Sequence, residues 1–407
     1  MKIVGLITEY NPFHNGHKYH LEEALKQTNS DYAIVVMSGN FVQRGSPAIM
    51  PKHLRTQVAL ESGAAIVIEL PVLYATGSAE QFAMGAVSLL HSLNCIDTIC
   101  FGTESGDIVA LEQIARILYN EPDDYKAALR KYLKKGNAFP LARQKAFYEI
   151  TGNTSLSSVL ESPNNILGIE YIKALYRLKS TITPVSIQRK ESHYHDTELK
   201  VSYSSATAIR NVFAEAGNNN SFSTDILKKQ LPPNALPLLT ETFLKRYPVY
   251  TNDFSLLLKY RLLTETKETL LTYMDINEAL ANRICKHKNH FISFEQFCEE
   301  IKTRDITYSR VSRALLHILL QIKKTGKTFP AYARILGFRK DSASVLSALK
   351  EKSSIPLITK LSFSALNEEE NAFLQQDIFA SDLYESVITN KFQTPFIVEQ
   401  KKEIVRC

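Results

Sequence analysis

The sequence predicts an α/β chain: a Rossmann-like parallel sheet over residues 1–220, followed by a mainly helical domain over residues 221–407. Three observations carry this. Short β-branched runs at 3–7, 32–37, 64–70 and 97–101 alternate with amphipathic helical stretches, the pattern of a parallel sheet with crossover helices. A polar break at 216–221, then Pro232, Pro233 and Pro237, interrupts the chain. Beyond it, apolar residues recur at helical spacing, as at Val311, Leu315, Ile318, Leu319 and Ile322.

The first element sets the chemistry. Residues 3–7 form a buried strand, and Leu21, Ala24 and Leu25 mark a helix starting near His17 or Lys18. Between them lies a turn with Asn-Pro and Asn-Gly. That geometry places backbone N–H groups and the positive end of a helix dipole at the carboxyl end of a sheet, a site for an anion and most simply for nucleotide phosphates. His14 and His17 share the turn. His-x-x-His also suits a metal, but no third and fourth ligand stand at recognisable spacing, so no metal site is predicted.

The next elements converge on the same end of the sheet. The strand at 32–37 ends in Ser38-Gly39-Asn40, where small residues let a backbone approach a ligand. The polar segment through Arg44 and Gly45 reads as a loop over the site. Lys52, His53 and Arg55 lead a helix with Val58, Ala59 and Leu60. The fourth strand ends at Gly102-Thr103-Glu104. Residues 107–151 read as a helical insertion crowded with Lys126, Arg130, Lys131, Lys134 and Lys135, either a solvated face or part of an RNA surface. Ser162-Pro163-Asn164-Asn165 opens a helix, where an Asn either caps the helix or bonds a ligand. The strand at 184–188 runs into Arg189. Ser204-Ser205-Ala206-Thr207-Ala208-Ile209-Arg210 starts the next helix, where hydroxyls either cap it or donate to an anion, and Arg210 adds charge. Ligands in such sheets bind at the carboxyl ends of the strands.

Two ordered motifs carry a resemblance. Asn11-Pro12-Phe13-His14-Asn15-Gly16-His17 resembles the Asp/Asn-Pro-x-His-x-Gly-His signature of the nucleotidyltransferases, and residues 204–210 resemble their Ile-Ser-Ser-Thr-x-Ile-Arg signature, with Ser204 and Ala206 departing from it. Met37-Ser38-Gly39-Asn40-Phe41-Val42-Gln43-Arg44-Gly45-Ser46-Pro47-Ala48, Phe101-Gly102-Thr103-Glu104 and Ser162-Pro163-Asn164-Asn165-Ile166-Leu167-Gly168 are similar to the bacterial tRNA(Met) cytidine acetate ligase family. The resemblance implies an ATP-dependent enzyme that forms acetyl-adenylate and acetylates N4 of the wobble cytidine of elongator tRNA(Met), with Mg2+ on the phosphates. It implies catalytic roles for His14 and His17, and offers Lys52 and Arg55 a role in placing the second substrate or the phosphates, against a plain helix surface. It implies ATP contacts by Ile7, Thr8, Glu9, Tyr10, Asn11, Pro12, Phe13, Asn15, Gly16, Lys18, Tyr19, His20, Gly102, Asn164, Asn165, Arg189, Thr207 and Arg210. Residue spacing alone reaches only adenylyl transfer. A small-molecule adenylyltransferase and a non-catalytic tRNA-binding protein are the rival readings.

Charge is unevenly spread. Residues 1–100 carry six Lys and Arg against eight Asp and Glu, whereas residues 281–352 carry fifteen against six. The basic back half is where an RNA partner is expected, and Arg310, Arg313, His317 and Lys324 fall on one face of the helix at 308–324, with Arg310, Arg313 and Lys324 as the tRNA contacts. His287 and His290 have metal-like spacing at best, and read as exposed. Short strands at 335–338 and 355–358 suggest a small mixed unit. No apolar run reaches the ~18 residues of a membrane span, the N-terminus enters a strand without a signal-peptide layout, and five cysteines form no CxxC. A reduced, cytoplasmic protein is expected.

Overall fold

The computed structural model describes residues 1–189, 205–218, 227–326, 329–361 and 366–407. The expected boundary at 220 and the segment with His193, Tyr194, His195 and Ser204 lie outside the described residues. The chain opens with β1 (Ile3–Thr8), α1 (Asn15–Thr28) and β2 (Tyr32–Ser38). A small hairpin of β3 (Phe41–Val42) and β4 (Ser46–Pro47) leads into α2 (Lys52–Glu61) and β5 (Ile66–Leu70). Then come α3 (Ala79–Ser92), β6 (Thr98–Thr103), α4 (Asp123–Lys134), α5 (Phe139–Thr151), α6 (Pro163–Leu178), β7 (Thr183–Gln188) and α7 (Ala206–Asn218).

β5, β2, β1, β6 and β7 lie side by side and parallel. From β1 the chain winds to one side through β2 and β5, then returns across β1 to β6 and β7. The strand order therefore reverses at β1, and a crevice opens at the carboxyl ends of β1 and β6. The central strands are apolar along nearly their whole length because helices cover both faces.

The back half is mainly helical, and its strands join the sheet of the first half. β8 (Ala333–Phe338) extends the sheet by pairing antiparallel with β5, and β9 (Leu357–Ile358) and β10 (Val405–Arg406) pair with β8. The strands expected to form a small separate unit thus complete the main sheet, because β5 is apolar on both faces and leaves an edge to be covered. The helices of this half include α8 (Glu278–His287), α9 (Phe294–Ile301), α10 (Tyr308–Leu320) and the long α11 (Glu368–Phe392).

Nor is the Arg44–Gly45 segment a free loop. It is the tip of the β3–β4 hairpin, and Ser312 on α10 donates to the Gly45 carbonyl at 2.8 Å. Gly45 has φ +79°, and a Cβ there would strike the Arg313 backbone, so only glycine fits.

Lys52 and Arg55 are buried, and neither expected role describes them. Arg55 donates to the carbonyls of Glu9, Ser38, Gly39 and Met50, tying the ends of β1 and β2 together. Lys52 reaches Glu69 at 2.6 Å, Glu399 at 2.9 Å and Ser381 at 2.7 Å. Arg334 on β8 bonds the same two glutamates at 2.9 and 2.6 Å.

Candidate active site

The turn after β1 is built by its own polar groups. Tyr10 takes a left-handed φ of +47°, an uncommon conformation for a residue with a side chain, and the Asn11–Pro12 bond is cis. Asn11 is buried; its Oδ1 accepts from the Ile49 N–H at 2.8 Å. Phe13 and Tyr10 meet edge to face with centroids at 4.6 Å, and Tyr10 also faces the His17 ring at 5.0 Å.

His14 and His17 cap α1. The Gly16 N–H donates to His14 Nδ1 at 3.0 Å, and the His14 N–H donates to His17 Nδ1 at 3.3 Å. A ring nitrogen that accepts carries the lone pair, so we assign the proton of both neutral imidazoles to Nε2. The rings stack at 3.7 Å between centroids, 28° apart. Burial holds His14 down to about 3, and the Arg189 and Arg210 charges add to it. Burial, then His14, then Arg189 hold His17 well below the ordinary range, against the pull of the Pro12 carbonyl. His20 is held down to about 4 by burial and Arg189. At neutral pH the site therefore presents uncharged imidazole N–H donors at a helix N-terminus, with the arginines supplying charge. Such an array stabilises anionic oxygens without protonating them.

Several other residues expected at the site lie beside this turn, and others lie away from it. Gly102 pairs with Ile187 across β6 and β7, and Arg189 follows β7 directly, its N–H donating to the Thr103 carbonyl at 2.9 Å. A Cβ on Gly102 would sit 3.5 Å from Arg189 Cγ and 4.0 Å from His20 Cδ2. Protein packing does not require glycine there. Arg210 on α7 donates to the Asn11 carbonyl at 2.7 Å and to Thr207 Oγ1 at 2.9 Å, which docks the second motif on the first. Ile7 is in the core, and Thr8 and Glu9 close β1, with Glu9 accepting from the Gln43 N–H at 2.9 Å. Lys18 pairs with Glu22 at 3.8 Å on the outer side of α1, while Tyr19 packs half-buried against the core.

A family model described as HIGH Nucleotidyl Transferase matches residues 1–397. The tRNA(Met) cytidine acetate ligase of Caldanaerobacter subterraneus subsp. tengcongensis is 43% identical over 388 residues, 94% of this chain and 95% of that protein. The crystal structure of apo Thermotoga maritima TmcAL matches with a TM-score of 0.92 at 32% identity, covering 100% of this chain and 99% of that one. The same protein bound with alpha-thio ATP matches at 0.89 and 33%, with the same coverage. The chain belongs to the tRNA(Met) cytidine acetate ligase family of HIGH nucleotidyl transferases.

In this ligase-family chain some expected contacts hold the site rather than line it. Asn165 is buried; its Oδ1 accepts from Glu104 N–H at 3.0 Å and Ser105 N–H at 3.1 Å, and its amide donates to Val159 at 3.2 Å. Asn164 donates to Glu104 Oε1 at 2.7 Å. Asn15 donates to the Lys229 and Gln230 carbonyls, at 3.0 and 2.9 Å. Glu104, expected only as part of the strand end at the crevice, also holds the start of α6. Its carboxylate takes the Asn164 and Asn165 N–H groups there, where Ser162 makes no side-chain cap. No local sequence pattern marks this bond, because its partners lie 60 and 61 residues away. Ser205 caps α7, its Oγ accepting from the Ala208 N–H at 3.0 Å.

The expected basic face on α10 is corrected. His317 is fully buried, its Nδ1 facing the Met274 carbonyl at 3.2 Å and its Nε2 the Thr76 carbonyl at 3.0 Å, and burial lowers its pKa. Arg313 is only 12% exposed and bound to Asp275 at 2.8 Å, so its charge is spent inside the protein. Arg310 is half-buried in the first turn, and Lys324 lies exposed beyond the helix, donating to the Leu271 carbonyl at 2.7 Å. No described helix is long and apolar enough to cross a membrane.

Proposed function

We propose that this chain is an ATP-dependent ligase that activates acetate as acetyl-adenylate and transfers the acetyl group to N4 of the wobble cytidine of elongator tRNA(Met). The observation that carries this is the pair of neutral, stacked imidazoles fixed at the head of α1, in the crevice where strand order reverses, with Arg189 and Arg210 beside them. The relatives' names supply the acetate and the tRNA.

In the first step an acetate oxygen attacks the α-phosphorus of ATP, and the bond to the bridging oxygen breaks to release pyrophosphate. His14 and His17 donate to the phosphate oxygens, and Arg189 and Arg210 balance the charge that builds on them. The Gly102 gap admits the nucleotide against β6. Glu104, Asn164 and Asn165 set the loop that borders it. In the second step the cytidine amine attacks the acyl carbon; AMP leaves with the bonding pair, and the nitrogen loses a proton. The reaction consists of positioning and charge stabilisation, so most of its acceleration comes from the fixed frame.

Among the described residues the carboxylates nearest the crevice are engaged: Glu9 is held by the Gln43 amide, and Glu104 by the start of α6. Mg2+, which the resemblance implies, would be held chiefly by the nucleotide's phosphates and would screen their charge. The exposed Lys324 and the half-buried Arg310 remain as tRNA phosphate contacts.

Incubation with ATP, labelled acetate and bulk tRNA tests the reading: label is expected in N4-acetylcytidine of one tRNA. His17→Ala is expected to lose acetate-dependent exchange of pyrophosphate into ATP by about 100-fold or more, the scale of removing a preorganised donor. Undiminished exchange would reject the site.

A further inference from the structure

Among the described residues, one group of side chains outside the crevice converges as metal ligands do. His287 ends α8, His290 closes the turn after it, and Glu300 stands on α9. A single carboxylate oxygen, Glu300 Oε1, lies 2.8 Å from His287 Nδ1 and 3.5 Å from His290 Nδ1. All three ligand atoms lie within 4.8 Å of one another, and the two rings stand 88° apart. Ligands held ~2.0–2.2 Å from a tetrahedral zinc are ~3.3–3.6 Å apart, so a metal would need only small shifts of these groups.

We propose that His287, His290 and Glu300 form a transition-metal site that clasps α8 to α9. Two imidazoles and one carboxylate suit zinc, cobalt or nickel rather than magnesium or calcium, which favour oxygen donors. The fourth position opens to water, since His290 is 68% exposed. Neighbouring cations are turned to other partners. Arg283 donates to the Ile301 and Glu300 carbonyls at 2.8 and 3.4 Å, which also fixes the end of α9 that carries Glu300. Lys288 reaches toward the Glu265 carbonyl at 3.5 Å, and Lys259 holds the Lys288 carbonyl at 2.6 Å. The ligands come from α8, its following turn and α9, so a bound metal staples that hairpin and leaves the nucleotide crevice untouched.

The test is titration of the metal-free full-length protein with Co2+ alone, read by the visible absorption of tetrahedral cobalt, followed by displacement with Zn2+. One Co2+ per chain is expected, with Zn2+ raising the thermal midpoint. His290→Ala, at an exposed position, and Glu300→Gln are each expected to weaken binding at least ~10-fold and to abolish the thermal shift. Circular dichroism and nucleotide binding should stay unchanged. Absence of uptake by the wild-type chain, or equal uptake by both variants, would overturn the site. These readouts use neither acetate nor tRNA, so they stand or fall apart from the proposed reaction.

Discussion

Two imidazoles stacked at 3.7 Å repel strongly if both are charged, and among the described residues no carboxylate pairs with His14 or His17 to offset that repulsion. Both rings should therefore stay neutral far below the ordinary histidine range. Nitrogen-15 NMR of the nucleotide-free protein is expected to show His14, His17 and His20 as uncharged rings from pH 8 down to about 5, with Nε2 protonated on the first two. A titration midpoint near 6.5 would contradict the assignment. The sign for stability follows. Folding lowers these pKa values, so between about 6.5 and 4 the unfolded chain binds protons that the folded chain refuses, and stability falls as the pH drops through that window. Gly102 gives a second residue-scale prediction. A methyl group there has room in the protein, at 3.5 Å and 4.0 Å from its neighbours, but takes space from a ligand. Gly102→Ala is expected to leave the thermal midpoint nearly unchanged while weakening ATP binding by ~1–3 kcal/mol, the ordinary cost of overpacking; calorimetric titration reads it. The histidine motif was legible in the sequence because its spacing is local. The neutrality of the rings was not, because it depends on burial and on arginines some 175 and 196 residues further on (189 − 14 and 210 − 14).

At the scale of the element, α6 shows how one helix entry organises a site edge. Pro163 and the missing Ser162 cap leave its first N–H groups unmet, and Glu104 from the end of β6 takes two of them. A carboxylate there also meets the positive end of the helix dipole. Glu104→Ala is expected to cost ~1–2 kcal/mol, the range of a lost cap, and to loosen the loop beside Gly102, so ATP affinity falls along with stability. Denaturant melts paired with ATP titration check both; a stability loss with unchanged affinity would mean that the loop does not shape the site. The strands and helices of the first half were readable from period and turn residues, since each is fixed by its own neighbours. α10 shows the limit. Its apolar stripe was plain, yet the polar face read as basic and exposed is partly interior, because Met274, Asp275 and Thr76 arrive from distant segments to meet His317 and Arg313. Spacing orders residues around one helix; it does not say what else covers that helix.

The whole molecule is held across its two halves by one buried charge network. Lys52 and Glu69 belong to the first half; Arg334, Asp377 and Glu399 belong to the second. Lys52 and Arg334 each face both glutamates, and Lys402 also reaches Glu399 at 3.4 Å. Asp377 is pushed up to about 7, first by burial and then by Glu69, and it sits between the Val72 N–H and the Tyr332 hydroxyl. Removing Glu69 takes a buried counter-charge from Lys52 and Arg334, so Glu69→Ala is expected to destabilise the chain by ~3–5 kcal/mol. Urea denaturation should register that loss for both halves together, because β5 and β8 share it. Asp377 behaves in the opposite sense to the histidines. Its folded pKa lies above its unfolded value of 3.8, so the stability it contributes is complete below about pH 4 and is lost as the pH rises through about 7. An asparagine reproduces the protonated acid: its oxygen accepts from Val72, and its amide donates to the Tyr332 oxygen. The Asp377→Asn chain should therefore match the wild type near pH 4 and exceed it increasingly up to about pH 7, beyond which the difference levels off, in denaturation midpoints taken at each pH. A difference that stays constant from about 4 to 7 would mean that Asp377 does not titrate in this window and that the network carries its charge at no cost.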